Sequence, residues 1–155
     1  MDSKKILSDV FSPLFKDVGF KKKGTSWYLI NKEVIGIYNI QKSQWSNLCY
    51  INLSFFVRKD EEIDYLPNYS TGHIEFRFEN INFDENEKKD LLKILSFEDT
   101  INESDIKLLE EFVKEICLPI FLNNTTKEEL KNSIKNNGEY FWKRLHYDGK
   151  DRLGL

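Results

Sequence analysis

The chain is poor in the residues that staple, ligate or cradle. Its 155 residues hold two cysteines, two histidines, three prolines and one methionine. Cys49 and Cys117 belong to no CxxC pair, so neither a disulfide framework nor a thiolate zinc site is indicated, and both are expected as buried free thiols in a reducing compartment. His73 and His146 are too few for a histidine metal centre, and no HExxH is present. The seven glycines are scattered, without GxGxxG, GxxxxGK[ST] or a GxSxG elbow. No metal or cofactor is therefore expected. No apolar run approaches the roughly 18 residues of a membrane span. The opening MDSKKILSDVF also lacks the apolar core and cleavage site of a signal peptide, which makes the cytoplasm the expected location. Internal repeats and Pro-rich or Gly/Ser-rich linkers are absent too.

What is abundant is aromatic. With 12 Phe, 7 Tyr and 3 Trp among 40% hydrophobic residues, the chain can build a packed interior. Its length suits a single domain over residues 1–155, and a chain of this size buries roughly 70% of its unfolded surface without a metal or disulfide. The net charge of -3 argues against a dedicated nucleic-acid binder, but it hides an asymmetry. Residues 1–60 hold 10 Lys/Arg against 5 Asp/Glu, whereas residues 61–155 hold 13 against 21. The run Lys21, Lys22, Lys23 sits in the basic part and is expected as a solvated loop.

Ile6, Leu7, Val10, Phe11, Leu14, Phe15 and Val18 recur at helical spacing, predicting a helix within residues 1–19. Pro13 predicts a kink or a second short helix from Ser12, and Gly19 a left-handed cap. From Phe20 to residue 80 the period is two. Strands are expected at 26–30 and 34–42 around Asn31-Lys32-Glu33, then at 48–57 and 73–79. The remainder, 84–147, reads as helical. Asp84 and Glu87 suggest one capping pattern and Asn102 or Ser104 the next. Pro119 should bend or end that second helix, Thr126 with Glu129 should open a third, and Asn137-Gly138 should break it before a short piece over 140–145. Residues 148–155 read as a loose tail. The predicted fold is α+β: an antiparallel sheet of about four strands with the N-terminal helix and the C-terminal helices on one face.

A hairpin with the loop Gln44–Asn47 sets Ile40 opposite Ile51, Tyr38 opposite Leu53, Gly36 opposite Phe55 and Val34 opposite Val57. That face is a core, with a glycine where a large aromatic needs space. The other face pairs Gln41 with Tyr50, Asn39 with Asn52, Ile37 with Ser54 and Ile35 with Phe56. If the 73–79 strand lies alongside, this face presents Asn39, Gln41, Tyr50, Asn52, His73, Glu75 and Arg77, with Trp45 at the rim. Amides carry both donors and acceptors, and Arg a planar fork, so such a face suits a polar ligand or a protein partner. An antiparallel sheet exposing one face to water would look similar. His73, four residues before Arg77, could serve as a general base beside a cation, or as one rung of a charge ladder. Glu61, Glu62 and Asp64 fit a solvated loop better than a metal cage.

In order, GFKKKG (19–24), Trp27, IQKS (40–43), YINLSF (50–55) and HIEFRFE (73–79) resemble a bacterial family known as domain of unknown function forty-three hundred and four. The resemblance covers about residues 5–80, with a helical tail of the expected length after it. It implies an architecture and no activity, and it directs attention to Gln41, Lys42, Ser43, Asn52, His73 and Arg77. Two functions are then expected to compete. The first is a non-catalytic protein-binding module, in its specific form a toxin-neutralising immunity protein for a basic toxin or nuclease, working as monomer or homodimer without nucleic acid or membrane. The second is a small-ligand binder or enzyme with a pocket around His73 and Arg77.

Overall fold

The computed structural model describes residues 1–59, 65–136 and 145–155. Helix α1 (Ser3–Asp17) is capped by Asp2, whose carboxylate accepts the Lys5 N–H at 3.1 Å. Pro13 lies inside this helix, which is one element from Ser3 to Asp17, so of the expected kink or second short helix the second does not form. Gly19 then turns the chain at φ +95°.

Five strands follow in one antiparallel meander whose spatial order is the chain order: β1 (Lys21–Lys23), β2 (Ser26–Ile30), β3 (Val34–Lys42), β4 (Cys49–Val57) and β5 (Ile74–Arg77). The extra strand is the lysine run. Gly24, at φ +62°, folds it back as a hairpin on β2, so the expected loop is an edge strand whose charges discourage further pairing. The β3–β4 register is the one the alternation implies, from Val34 opposite Val57 to Lys42 opposite Cys49. Slipping it by one residue would move every buried side chain to the wrong face. After Arg77 the chain leaves the sheet in a 3₁₀ turn, Phe78–Asn80, so the fifth strand is shorter than the alternation suggested.

Helices α2 (Glu85–Ser96) and α3 (Glu103–Phe112) start at Asp84 and Asn102, the latter in a full capping box with Asp105. Of the bend or end expected at Pro119, the helix does not end there: α3 widens into a π-turn over Val113–Cys117 and resumes as α4 (Leu118–Leu122). Widening one turn is how a helix accommodates a residue with no N–H to donate. Helix α5 (Lys127–Asn136) begins behind Thr126, whose hydroxyl accepts the Glu129 N–H at 3.1 Å. The expected break at Asn137-Gly138 and most of the 140–145 piece lie outside the described residues. Residues expected as a loose tail form helix α6 (Tyr147–Leu153), with Leu153 buried.

The main core lies between the sheet and α1 to α5. Phe11, Phe15, Trp27 and Tyr38 stack edge-on and tilted with centroids 4.6 to 6.5 Å apart. Both cysteines are buried free thiols. No described helix is long and apolar enough to cross a membrane. The second sheet face is less open than its polar residues suggested. Tyr28, Ile35, Ile37 and Phe56 form a smaller apolar cluster there, covered by Tyr69 and by the Arg152 side chain of α6.

Candidate functional site

The register sets five residues in one row across the sheet: Lys23 opposite Ser26, Ser26 opposite Asn39, Asn39 opposite Asn52, and Asn52 opposite Arg77. Strands spaced about 4.8 Å apart place the two end residues roughly 19 Å from each other. Between them the amides form a chain. Asn52 Nδ2 donates to Asn39 Oδ1 at 3.1 Å and to Gln41 Oε1 at 3.3 Å. Asn39 Nδ2 in turn donates to Ser26 Oγ at 2.8 Å and to the Thr25 carbonyl at 3.4 Å. Asn39 and Asn52 are only 5% and 6% exposed, so these bonds satisfy groups that water cannot reach. Their amides stiffen a floor more than they offer free contacts.

Two hollows open above this floor, and both include Gln41 and Tyr69. The first, about 470 Å³, is rimmed by Lys4, Lys23 and Asn68. The second, about 590 Å³, is rimmed by Ser70, Glu75, Arg77 and Glu79. The Arg77 guanidinium lies over the Tyr50 ring, 3.9 Å from its centroid, and makes no hydrogen bond or ion pair among the described residues. Stacking holds the fork in place without using its N–H groups. Burial pushes the Glu79 carboxyl above its ordinary value, against the pull of Arg77 and Lys88.

Of the residues expected on this face, Asn39, Gln41, Asn52 and Arg77 converge, and Tyr50 backs Arg77. Ser43 and Trp45 sit at the β3–β4 turn, where Ser43 Oγ accepts the Trp45 N–H at 3.1 Å and Trp45 is 91% exposed. His73 is on the same side of the sheet but at its other end, lining neither hollow. It is 5% exposed against Phe56, with ring centroids 4.5 Å apart. Val57 N–H donates to His73 Nδ1 at 2.8 Å, which leaves the proton on Nε2, 3.0 Å from Asp148 Oδ2. Both ring nitrogens are thus engaged, which corrects the expectation of a binding or basic histidine beside Arg77. The imidazole is a structural bracket.

Asp148 completes that bracket by also accepting from Arg152 Nε at 3.0 Å, while Arg152 donates to the Val57 carbonyl at 2.7 Å. Partial burial works to raise the Asp148 carboxyl, but Arg152 and the His73 bond outweigh it and hold the carboxyl below its ordinary value. Among the described residues, no three His, Cys, Asp or Glu are placed to hold a metal ion. Sequence reasoning missed Lys4, Lys23, Ser26, Asn68 and Tyr69. The available signal was Gly24-Thr25 as a two-residue hairpin turn, which would have carried the row out to Lys23.

Residues 11–123 match the family model described as Domain of unknown function (DUF4304), most of the chain, and the chain belongs to that family. No curated protein and no solved structure matches it.

Proposed function

We propose that this family member is a non-catalytic protein-binding module whose docking surface is the face carrying the row from Lys23 to Arg77. The observation that carries the reading is the Arg77–Tyr50 contact, an oriented guanidinium whose donors have no partner among the described residues. The adjoining turn offers Trp45, 91% exposed. Trp, Tyr and Arg are the side chains that most often dominate interface energies, and the satisfied amide floor would let them dock without reorganisation.

The partner class proposed is a basic protein, with neutralisation of a nuclease-type toxin in the cytoplasm as the specific role. The acidic excess of residues 61–155, 21 Asp/Glu against 13 Lys/Arg, supports steering of such a partner. The test is co-expression with a basic nuclease encoded beside this gene, followed by size-exclusion with light scattering and a growth assay. The expected result is a stable complex and restored growth, both lost in an Arg77→Ala, Trp45→Ala chain that keeps its fold. Absence of a complex, or a double variant that binds equally well, overturns the reading.

A small-ligand reading is favoured by the size of the hollows, within the roughly 300–1,000 Å³ of small-molecule sites. Such a site would be centred on Arg77 and Gln41, without His73. A single small compound that raises Tm in the parent and fails to do so in Arg77→Ala would select it.

A further inference from the structure

We infer that the hollow beside Lys4 and Lys23 is a subsite for an oxyanion, specifically the carboxylate of an aspartate or glutamate side chain on the docked partner; this rests on the face being a docking surface. Three observations lead there. First, the described lining includes two ammonium groups and no carboxylate, and neither Lys4 nor Lys23 has an ion-pair partner among the described residues. The neighbouring hollow is different, since Glu75 and Glu79 flank Arg77.

Second, the rim amides already use their oxygens internally. Gln41 Oε1 takes the Asn52 Nδ2 proton at 3.3 Å. Asn68 Oδ1 takes the Ser70 N–H at 3.1 Å and its hydroxyl at 3.2 Å. Each amide keeps its NH₂ end without a partner among the described residues, so the rim offers more amide donors than amide acceptors. Third, these donors are fixed in place. Asn68 caps the 3₁₀ turn Tyr69–Thr71, and Gln41 is held within β3 by its bond from Asn52. A preformed set of donors with two cations that have no ion-pair partner among the described residues is complementary to a compact anion. A protein partner supplies that anion as a carboxylate.

The experiment is a ¹⁵N NMR titration of the full chain at low ionic strength, where exposed charges are least screened. Three probes are used: acetyl-Gly-Glu-Gly-amide, its Gln counterpart, and inorganic phosphate. The expected result is saturable movement of the Thr25, Ser26 and Gln41 signals with the Glu peptide alone. A Lys4→Ala, Lys23→Ala chain should lose about tenfold or more in affinity, the scale of one interaction of 1.4 kcal/mol. Neither lysine is buried, so the fold of that variant should persist by circular dichroism. Equal response to the Gln peptide, no saturable response, or an unchanged double variant overturns the subsite. Saturation by phosphate alone overturns the carboxylate assignment. In the nuclease assay, a complex broken by Arg77→Ala, Trp45→Ala but indifferent to the lysine pair leaves the docking reading standing and removes the subsite.

Discussion

Gly36 is a residue whose importance was visible before its reason was. Strand alternation places it on the core face opposite Phe55, where a missing side chain must make room for something. The occupant is Phe121 from α4, which no local pattern could name: a Cβ built at Gly36 would sit 2.5 Å from Phe121 Cδ1. Gly36→Ala should therefore destabilise the protein by about 1–3 kcal/mol, the usual cost of overpacking, measured as a lower urea midpoint at unchanged slope. Asn39 poses the opposite problem, a polar side chain 5% exposed in a strand. Its Oδ1 receives the Asn52 amide and its Nδ2 serves Ser26. Asn39→Ala should cost about 1–3 kcal/mol by orphaning a donor and an acceptor. If Asn39→Ala is neutral in urea titration, the row is ordinary hydrated surface and not a built floor.

At the scale of elements, the central hairpin was legible because one face is apolar along its length while the other turns polar toward the Asn39–Asn52 and Gln41–Tyr50 pairs, so only one register keeps Ile51, Leu53, Phe55 and Val57 together. Helix α6 was not legible, for a physical reason. Its sequence YDGKDRL contributes one buried apolar side chain, Leu153, so no amphipathic period exists to detect. Polar groups drawn from across the chain hold it instead: His73 and Arg152 each satisfy a backbone group of Val57, and Asp148 joins them. A carboxyl held below its ordinary value stabilises the folded state above its unfolded pKa and ceases to do so as pH falls through the lower folded value. The margin of the parent over Asp148→Asn should thus be full at neutral pH, begin to shrink near about pH 3.9, the ordinary aspartate value, and vanish only below the lower folded value. Denaturation midpoints across that range check it, and a margin independent of pH would remove Asp148 from the bracket. The lysine strand was misread for a related reason. Three charged residues carry no apolar alternation, and pairing with β2 decided their conformation.

For the whole molecule the question is how a meander of five strands manages its two edges. Unpaired strand edges template association with other chains unless charge, twist or cover prevents it. At β1 the protection is charge, with Lys21, Lys22 and Lys23 all exposed. At β5 the protection is cover, because the strand itself is short and its Ile74 and Phe76 are apolar. Leu145 bridges to Ile74, and the His146 N–H donates to the His73 carbonyl at 2.8 Å. Residues 145–155 lie beyond the 11–123 stretch that the family model matches, yet they cover the last strand of the sheet and bracket the end of β4. Deleting 145–155 should expose the Ile74 edge and the Phe56 ring together, giving a species whose mass by light scattering rises with concentration relative to the full chain. Adding the synthetic 145–155 peptide in excess should reverse that association, since the binding groups are all on the peptide or on a preformed strand end. A deleted chain that matches the full chain's mass at every concentration would mean the β5 edge needs no cover, and irreversible association would mean that the segment is needed for folding and not for closure.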